Sequence, residues 1–172
     1  MGSRSEVLAW NPAGHALLAG HCDFTAPMRP TERPNLTRML FLDPHTRELY
    51  ASWKDEAIRA VASLRLLAGR LRDDRELVEL VGDLILERDD FARLWSKHPV
   101  RNCTSGVKQF HHPEAGNFEL EFQVLRLPDD SAQRVLTYTA LPDTASQAAL
   151  HLLVTHSAAS REPRRTTRDR TP

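Results

Sequence analysis

Four residues have side chains that could hold a metal ion: His98, Cys103, His111 and His112. Imidazole nitrogens and thiolate sulfurs are the usual zinc ligands. Neighbouring side chains of a strand point to opposite faces, however, so His111 and His112 are not expected to reach the same ion. The sequence therefore predicts no metal and no cofactor. It predicts instead that His112-Pro113 ends a strand and that His98 ends a helix.

Motifs of catalytic chemistry are not found in the chain. It contains no Gly-x-Ser-x-Gly turn, no phosphate-binding loop, no Gly-x-Gly-x-x-Gly and no His-Glu-x-x-His. Thr104-Ser105-Gly106 is typical of a turn rather than of a nucleophile. We predict that the protein is not an enzyme, with a small hydrolase as the weakest alternative.

Bulky aromatic residues and one arginine are the candidates for a ligand pocket. Three tryptophans could either fill a core or line a cavity: Trp10, Trp53 and Trp95. Arg65 follows the apolar stripe of a predicted helix, so its guanidinium can lie near the interior. There it could clamp a ligand carboxylate, or pair with Asp43 or Asp83, which is the favoured interpretation.

The composition is that of one domain with a real core. The chain has 172 residues, 41% of them hydrophobic, and 23 basic residues balance 23 acidic ones. Five arginines follow residue 160, so residues 159–172 are predicted to be a disordered basic tail and residues 1–158 the domain. The acidic remainder does not favour direct binding to nucleic acid. Two distant cysteines and the lack of a long apolar run favour a cytoplasmic protein without a membrane segment.

The elements that must position these residues can be read from the apolar spacing. In the first half we predict a strand-like run at 6–11, a short helix at 13–18 and an irregular connection at 20–34. From residue 47 to 68, apolar residues recur at helical spacing, and Gly69 is a plausible stop. A second helix begins after the capping candidates Asp73 and Asp74 and runs to about Lys97, with a split expected at 87–90.

The second half has the alternation of strands. Strands are predicted at 100–104, 106–112, 118–127 and 134–140, followed by a terminal helix at 144–157. Apolar residues at 118, 120, 122 and 124 alternate with polar ones, which indicates one buried and one solvated face. The fold class is therefore α+β.

The ordered motifs resemble the MmyB-like ligand-binding domain, the C-terminal half of bacterial XRE-type helix-turn-helix regulators. The match includes Leu40-Phe-Leu-Asp-Pro44, Leu80-Val-Gly-Asp-Leu84, Phe91-x-x-Leu-Trp95, Gly106-x-Lys108 and His112-Pro113. The resemblance implies a PAS-like antiparallel sheet of about five strands, covered by helices on one face and enclosing a cavity. Within that fold, ten residues are candidates for the pocket: Trp10, Asn35, Phe41, Trp53, Arg65, Phe91, Trp95, His112, Phe122 and Tyr138.

The resemblance also implies a function. We expect a regulatory domain that senses a small lipophilic, even fatty-acid-like, molecule in the interior. The N-terminal helix-turn-helix domain of the family is absent ahead of Met1, so DNA contact is expected only through such a domain. The alternative is a dimerisation module with a filled core and no ligand, and a homodimer is compatible with both hypotheses.

Overall fold

The architecture, seen in a computed structural model, is α+β, with helices on one side of a small antiparallel sheet. The structure describes residues 1–97, 104–128 and 132–159, with side chains up to residue 156 in the last range. His98, Cys103 and the predicted tail beyond residue 159 lie outside the described residues. The helices are α1 (Pro12–Ala19), α2 (Leu36–Leu42), α3 (Pro44–Leu49), α4 (Trp53–Arg70), α5 (Arg75–Glu87), α6 (Asp89–Ser96) and α7 (Ala145–Ala159). The strands are β1 (Ser105–His112), β2 (Gly116–Arg126) and β3 (Arg134–Thr139).

Side-chain caps explain where the helices begin. The side chain of Asn35 accepts hydrogen bonds from the backbone N–H groups of Thr37 and Arg38 at the start of α2. Asp43 and Asp74 cap α3 and α5 in the same way. Each cap satisfies donors that the first helical turn would otherwise leave unpaired. The predicted caps at Asp74 and the split near residue 88 are confirmed.

The long helical stretch predicted from residue 47 is broken, and this prediction was wrong in one place. Tyr50 adopts extended backbone angles between α3 and α4. It forms a bridge with Phe110 of β1, and the N–H of Ala51 donates to the carbonyl of Gln109. The chain pairs with the sheet edge at this point instead of continuing the helix.

The sheet has three strands among the described residues, in the order β1-β2-β3, so the predicted count of about five is not confirmed. The run at 6–11 does not form a sheet strand, because it pairs only at its beginning, through a bridge between Glu6 and Asn35. The predicted strand at 100–104 lies largely outside the described residues. Phe118, Leu120 and Phe122 of β2 are buried as predicted, and their polar neighbours are exposed.

Two separate apolar clusters hold these elements together. The first, which we call the helical core, contains Leu40, Phe41, Ala57, Val61, Leu64, Leu77, Leu80, Leu84 and Phe91. The second, which we call the sheet core, contains Leu17, Leu49, Phe110, Phe118, Leu120 and Leu153. Among the described residues, no helix combines the length and apolar character needed to cross a membrane.

Candidate ligand-binding site

A cavity of about 410 Å³ separates α4 from the inward face of the sheet, and we call it the first cavity. Apolar side chains contribute much of its wall, among them Leu36, Leu40, Leu67, Phe122, Val124 and Leu136. Five cationic side chains and one carboxylate also line it: Arg59, Arg70, Lys108, Arg126, Arg134 and Glu56. The excess of positive charge makes the cavity a better environment for an anionic than for a cationic guest.

At one end of this cavity lies a buried ionic cluster. The Lys108 ammonium is 2.8 Å from one Glu56 oxygen, and a guanidinium nitrogen of Arg59 is 2.5 Å from the other. The Lys108 and Glu56 side chains are only 10% and 8% exposed. The ammonium also lies 4.6 Å from the ring centre of Phe122, a favourable cation–π contact. The Glu56 carboxylate is therefore held by two cations, and the cluster keeps an excess of positive charge.

Two tyrosines complete this end of the cavity. The hydroxyl of Tyr138 lies 3.5 Å from the Lys108 ammonium, and the ring of Tyr50 packs close to the same ammonium. Burial is the main reason why the pKa of both phenols is raised above the ordinary value of 10.0. The Glu56 carboxylate raises the pKa of Tyr138 further. Both hydroxyls are therefore neutral hydrogen-bonding groups at physiological pH.

Arg134 lines the same cavity in a different electrostatic situation. It donates to the hydroxyl of Ser63 at 3.0 Å and to the carbonyl of Ser3 at 2.8 Å. Its Nε–H is buried and has no hydrogen-bond partner among the described residues. Burial lowers the pKa of Arg134, and the charge of Arg126 lowers it further. An arginine nonetheless stays charged, so this guanidinium is a partly buried cation bonded to neutral oxygens.

A second cavity, of about 810 Å³, lies on the other side of β3. Residues of the N-terminal run, α1 and α7 form its largely apolar wall, including Val7, Trp10, Leu17, Leu150 and Val154. It shares six wall residues with the first cavity: Met1, Leu36, Leu127, Arg134, Leu136 and Tyr138. The two cavities therefore adjoin each other along β3.

Three of the ten predicted pocket residues line these cavities. Phe122 belongs to the first, Trp10 to the second, and Tyr138 to both. Trp10 also donates through its indole N–H to the carbonyl of Phe24 at 2.9 Å.

Five other predicted pocket residues meet in or beside the helical core. Phe91 has its ring centre 5.0 Å from that of Phe41 and 5.8 Å from that of Trp95. Trp53 packs on Phe41 and donates to the carbonyl of Leu40. The guanidinium of Arg65 lies 4.1 Å from the ring centre of Trp95 and donates to the Trp95 carbonyl.

The expected pairing of Arg65 with Asp43 or Asp83 is wrong. Asp83 is 2.5 Å from Arg38, and Asp43 is bonded by His21 and His45. Arg65, on α4, instead packs on the aromatic face of Trp95, on α6, and donates to its carbonyl.

The last two predicted pocket residues occupy local structural positions. Asn35 is the cap of α2, and its amide also donates to the carbonyl of Arg4 at 2.9 Å. His112 ends β1, as predicted, with one ring nitrogen 3.0 Å from the carbonyl of Ala16. Its other nitrogen accepts from the N–H groups of Glu114 and Ala115. His111 is exposed while His112 is buried, so the two point to opposite faces as expected.

None of the charged residues of the first cavity was among the ten predicted pocket residues. Lys108 could have been identified as an inward residue from the sequence, because the alternation that directs Phe110 and His112 inward also directs Lys108 inward. Glu56 sits three residues after Trp53, at the edge of the apolar stripe of α4. No local sequence pattern identifies Arg134 as a cavity residue, since its hydrogen-bond partners come from distant parts of the chain.

A space between helices and a sheet face, with apolar walls and a few fixed polar groups, is the usual form of a small-molecule site. Fold and cavity together are those of a ligand-binding domain. The family comparison agrees: the MmyB-like transcription regulator ligand binding domain matches residues 1–153, and the chain belongs to this family. A comparison with curated proteins found no match. The resemblance inferred from the sequence is confirmed, and the family is one of regulatory domains rather than a class of enzymes.

Proposed function

We propose that the chain is the ligand-sensing domain of a bacterial XRE-type helix-turn-helix regulator. It acts in the cytoplasm and binds a small lipophilic molecule with an acidic group in the first cavity. Fatty-acid-like compounds have this combination. The observation that carries the proposal is the cavity of about 410 Å³ between α4 and the sheet, with apolar walls and a partly buried guanidinium.

Arg134 is the proposed anchor for the acidic group. Lys108 and Arg59 already share one counter-charge, the Glu56 carboxylate. Arg134 donates only to neutral oxygens among the described residues and retains one unused buried N–H. A guanidinium can bind a carboxylate through two parallel hydrogen bonds, and hydrogen bonds to a charged partner are stronger than those to neutral oxygens.

Arg134 also connects the cavity to the N-terminal segment, and we propose that ligand binding acts on the rest of the regulator through this connection. Its backbone is paired with Met1 in both directions, at 2.9 and 3.0 Å, and its guanidinium holds the carbonyls of Gly2 and Ser3. A DNA-binding domain of the family would precede Met1. A ligand carboxylate that draws the guanidinium into the cavity weakens its hold on this N-terminal segment. Such coupling regulates only if the ligand prefers one conformation over the other.

We further propose that the fold is PAS-like. The helices over one face of the sheet support this, and three strands are described where about five were expected. We propose that the domain comprises residues 1–158.

The experiment is native mass spectrometry followed by titration calorimetry with straight-chain fatty acids of increasing length. We expect a co-purified or added acid to bind in one copy and to raise the melting temperature. The matched alcohol of the same length should bind at least about tenfold more weakly, because it lacks the charge that Arg134 meets. In Arg134→Met the preference for the acid over the alcohol should become much smaller, although the other cations of the wall remain. No binding across the series would contradict the proposal, and an unchanged preference in Arg134→Met would exclude Arg134 as the anchor.

Self-association is a second proposed property, because α5 exposes apolar side chains. Val78 is 62% exposed and Leu86 is 86% exposed, and with Ile85, at 37%, their spacing places them on one side of the helix. Size-exclusion chromatography with light scattering tests it. We expect a dimer that Leu86→Lys weakens, whereas a monomer at high concentration would remove this part of the proposal.

A further inference from the structure

Two histidines and one aspartate meet outside both cavities, at the corner between α2 and α3. The Nε2 atom of His21 is 2.7 Å from Oδ2 of Asp43, and Nδ1 of His45 is 3.2 Å from Oδ1 of the same carboxylate. The two imidazole rings are stacked, with centres 4.6 Å apart and planes 16° from parallel. One donor atom from each residue lies within 4.8 Å of the other two.

The local sequence holds the carboxylate in place. Asp43 caps α3 by accepting from the N–H of His45 at 3.0 Å, and the hydroxyl of Thr46 donates to its other oxygen at 2.8 Å. Partial burial raises the pKa of Asp43, but these hydrogen bonds outweigh burial and the pKa is lowered. The carboxylate is therefore ionised at neutral pH. His45, which stands two residues further on, and His21, from the connection after α1, approach it from two separate segments.

The side chains are also accessible to an ion from solvent. The His45 side chain is 71% exposed and that of His21 is 34% exposed, whereas Asp43 is 18% exposed. A carboxylate held by its own hydrogen bonds, with two imidazole nitrogens within 3.2 Å of its oxygens, brings three ligand atoms together at the surface.

We propose that His21, Asp43 and His45 form a binding site for a divalent transition-metal ion such as Zn²⁺. Two imidazole nitrogens and one carboxylate oxygen form an N₂O set of the type that binds such ions, and water completes the coordination. Coordination requires that each ring present a lone pair at the nitrogen now facing Asp43. The ring proton then resides on the other nitrogen, Nδ1 of His21 and Nε2 of His45. The hydrogen bonds from Thr46 and from the backbone of His45 keep the carboxylate oriented.

A bound ion would join two segments that are otherwise far apart in sequence. His21 belongs to the connection that follows α1, while Asp43 ends α2 and begins α3. The site is independent of the ligand-sensing proposal, because none of its three residues lines either cavity.

The test uses the untagged chain after treatment with a chelator. Titration calorimetry with Zn²⁺ should show one ion per chain, and thermal unfolding should shift upward. Co²⁺ should give visible absorption bands of a coordinated ion. Mg²⁺, which prefers oxygen ligands, should have no comparable effect.

Variants distinguish this site from surface binding. His21→Ala and His45→Ala should each weaken Zn²⁺ binding at least tenfold, while their circular dichroism stays native. The controls are His111→Ala, an exposed histidine on β1, and Cys22→Ser, next to His21; both should bind Zn²⁺ like the unaltered chain. Equal binding by His45→Ala and His111→Ala would overturn the proposal, as would loss of binding in Cys22→Ser alone or no stoichiometric binding at all.

Discussion

The helical core and the region between α4 and the sheet are built from the same long helix but differ in how they are filled. One side of α4 carries Ala57, Val61 and Leu64, which are at most 1% exposed and pack against α5 and α6. A neighbouring side carries Glu56, Arg59 and Ser63, which face the first cavity. One helix therefore closes a solid core and a hollow space at the same time.

The comparison shows which residue types occur in the helical core and which surround the first cavity. Aromatic rings cluster where the packing is solid, as Phe41, Trp53, Phe91 and Trp95 do. Charged and hydroxyl groups fixed by other protein groups surround the hollow. Buried charge is costly unless it is paired, so its retention around a cavity is more informative about ligand binding than aromatic content.

The largest expected effect comes from removing a ring in the helical core. Phe91→Ala should lower the free energy of unfolding by about 3–5 kcal/mol, since its fully buried ring packs between Phe41 and Trp95. Phe122→Ala should cost about 2 kcal/mol, because one side of that ring faces the cavity and lacks packed neighbours. Urea denaturation measures both. Equal losses would mean that the two regions are packed alike.

The next effect concerns the charges beside the cavity. Glu56→Gln should cost about 3 kcal/mol, because it leaves the buried Lys108 and the nearby Arg59 without a counter-charge. The matched control is Glu79→Gln on α5, whose exposed pair with Arg75 is worth less than about 1 kcal/mol. If chemical denaturation gave the two variants the same stability, the ionic cluster would not be buried as described.

A smaller effect is expected at the cap of α2, which contributes to both regions. Asn35→Ala should cost about 1–2 kcal/mol, since two backbone donors and the bond to Arg4 lose their partner. Asn117→Ala, at an exposed position near the β1–β2 turn, should change stability by less than about 0.5 kcal/mol. Thermal unfolding compares the pair, and a neutral Asn35→Ala would show that the cap is dispensable.

The smallest effect at neutral pH comes from the two buried phenols. The pKa of Tyr50 and that of Tyr138 are raised in the folded state, so folding favours the protonated form. Their contribution is complete below the unfolded-state pKa of about 10 and is lost as the pH rises above it, through the folded-state values. Denaturation between about pH 8 and about pH 11 should therefore show falling stability, with a shallower slope in Tyr138→Phe. Identical slopes would place the Tyr138 hydroxyl in solvent.

Local patterns predicted most of the elements, and long-range contacts decided the rest. The cap at Asp74 and the alternation of Phe118, Leu120 and Phe122 act within a few residues, so the sequence alone was sufficient. The break at Tyr50 depends on hydrogen bonding to β1, about sixty residues further along the chain, and no local pattern announces it. The same holds for the candidate site. Inward alternation could have identified Lys108, but the partners of Arg134 are brought together only by the fold.

The most direct measurement is a calorimetric titration of the tightest-binding fatty acid against a variant in which the first cavity is filled. Ala60 lines this cavity, so Ala60→Trp places an indole inside it, whereas Ala148→Trp adds the same ring at an exposed position of α7. We predict that Ala60→Trp folds but binds the acid at least tenfold more weakly, and that Ala148→Trp binds it like the unaltered chain. Unchanged affinity in a folded Ala60→Trp variant would contradict a ligand site between α4 and the sheet.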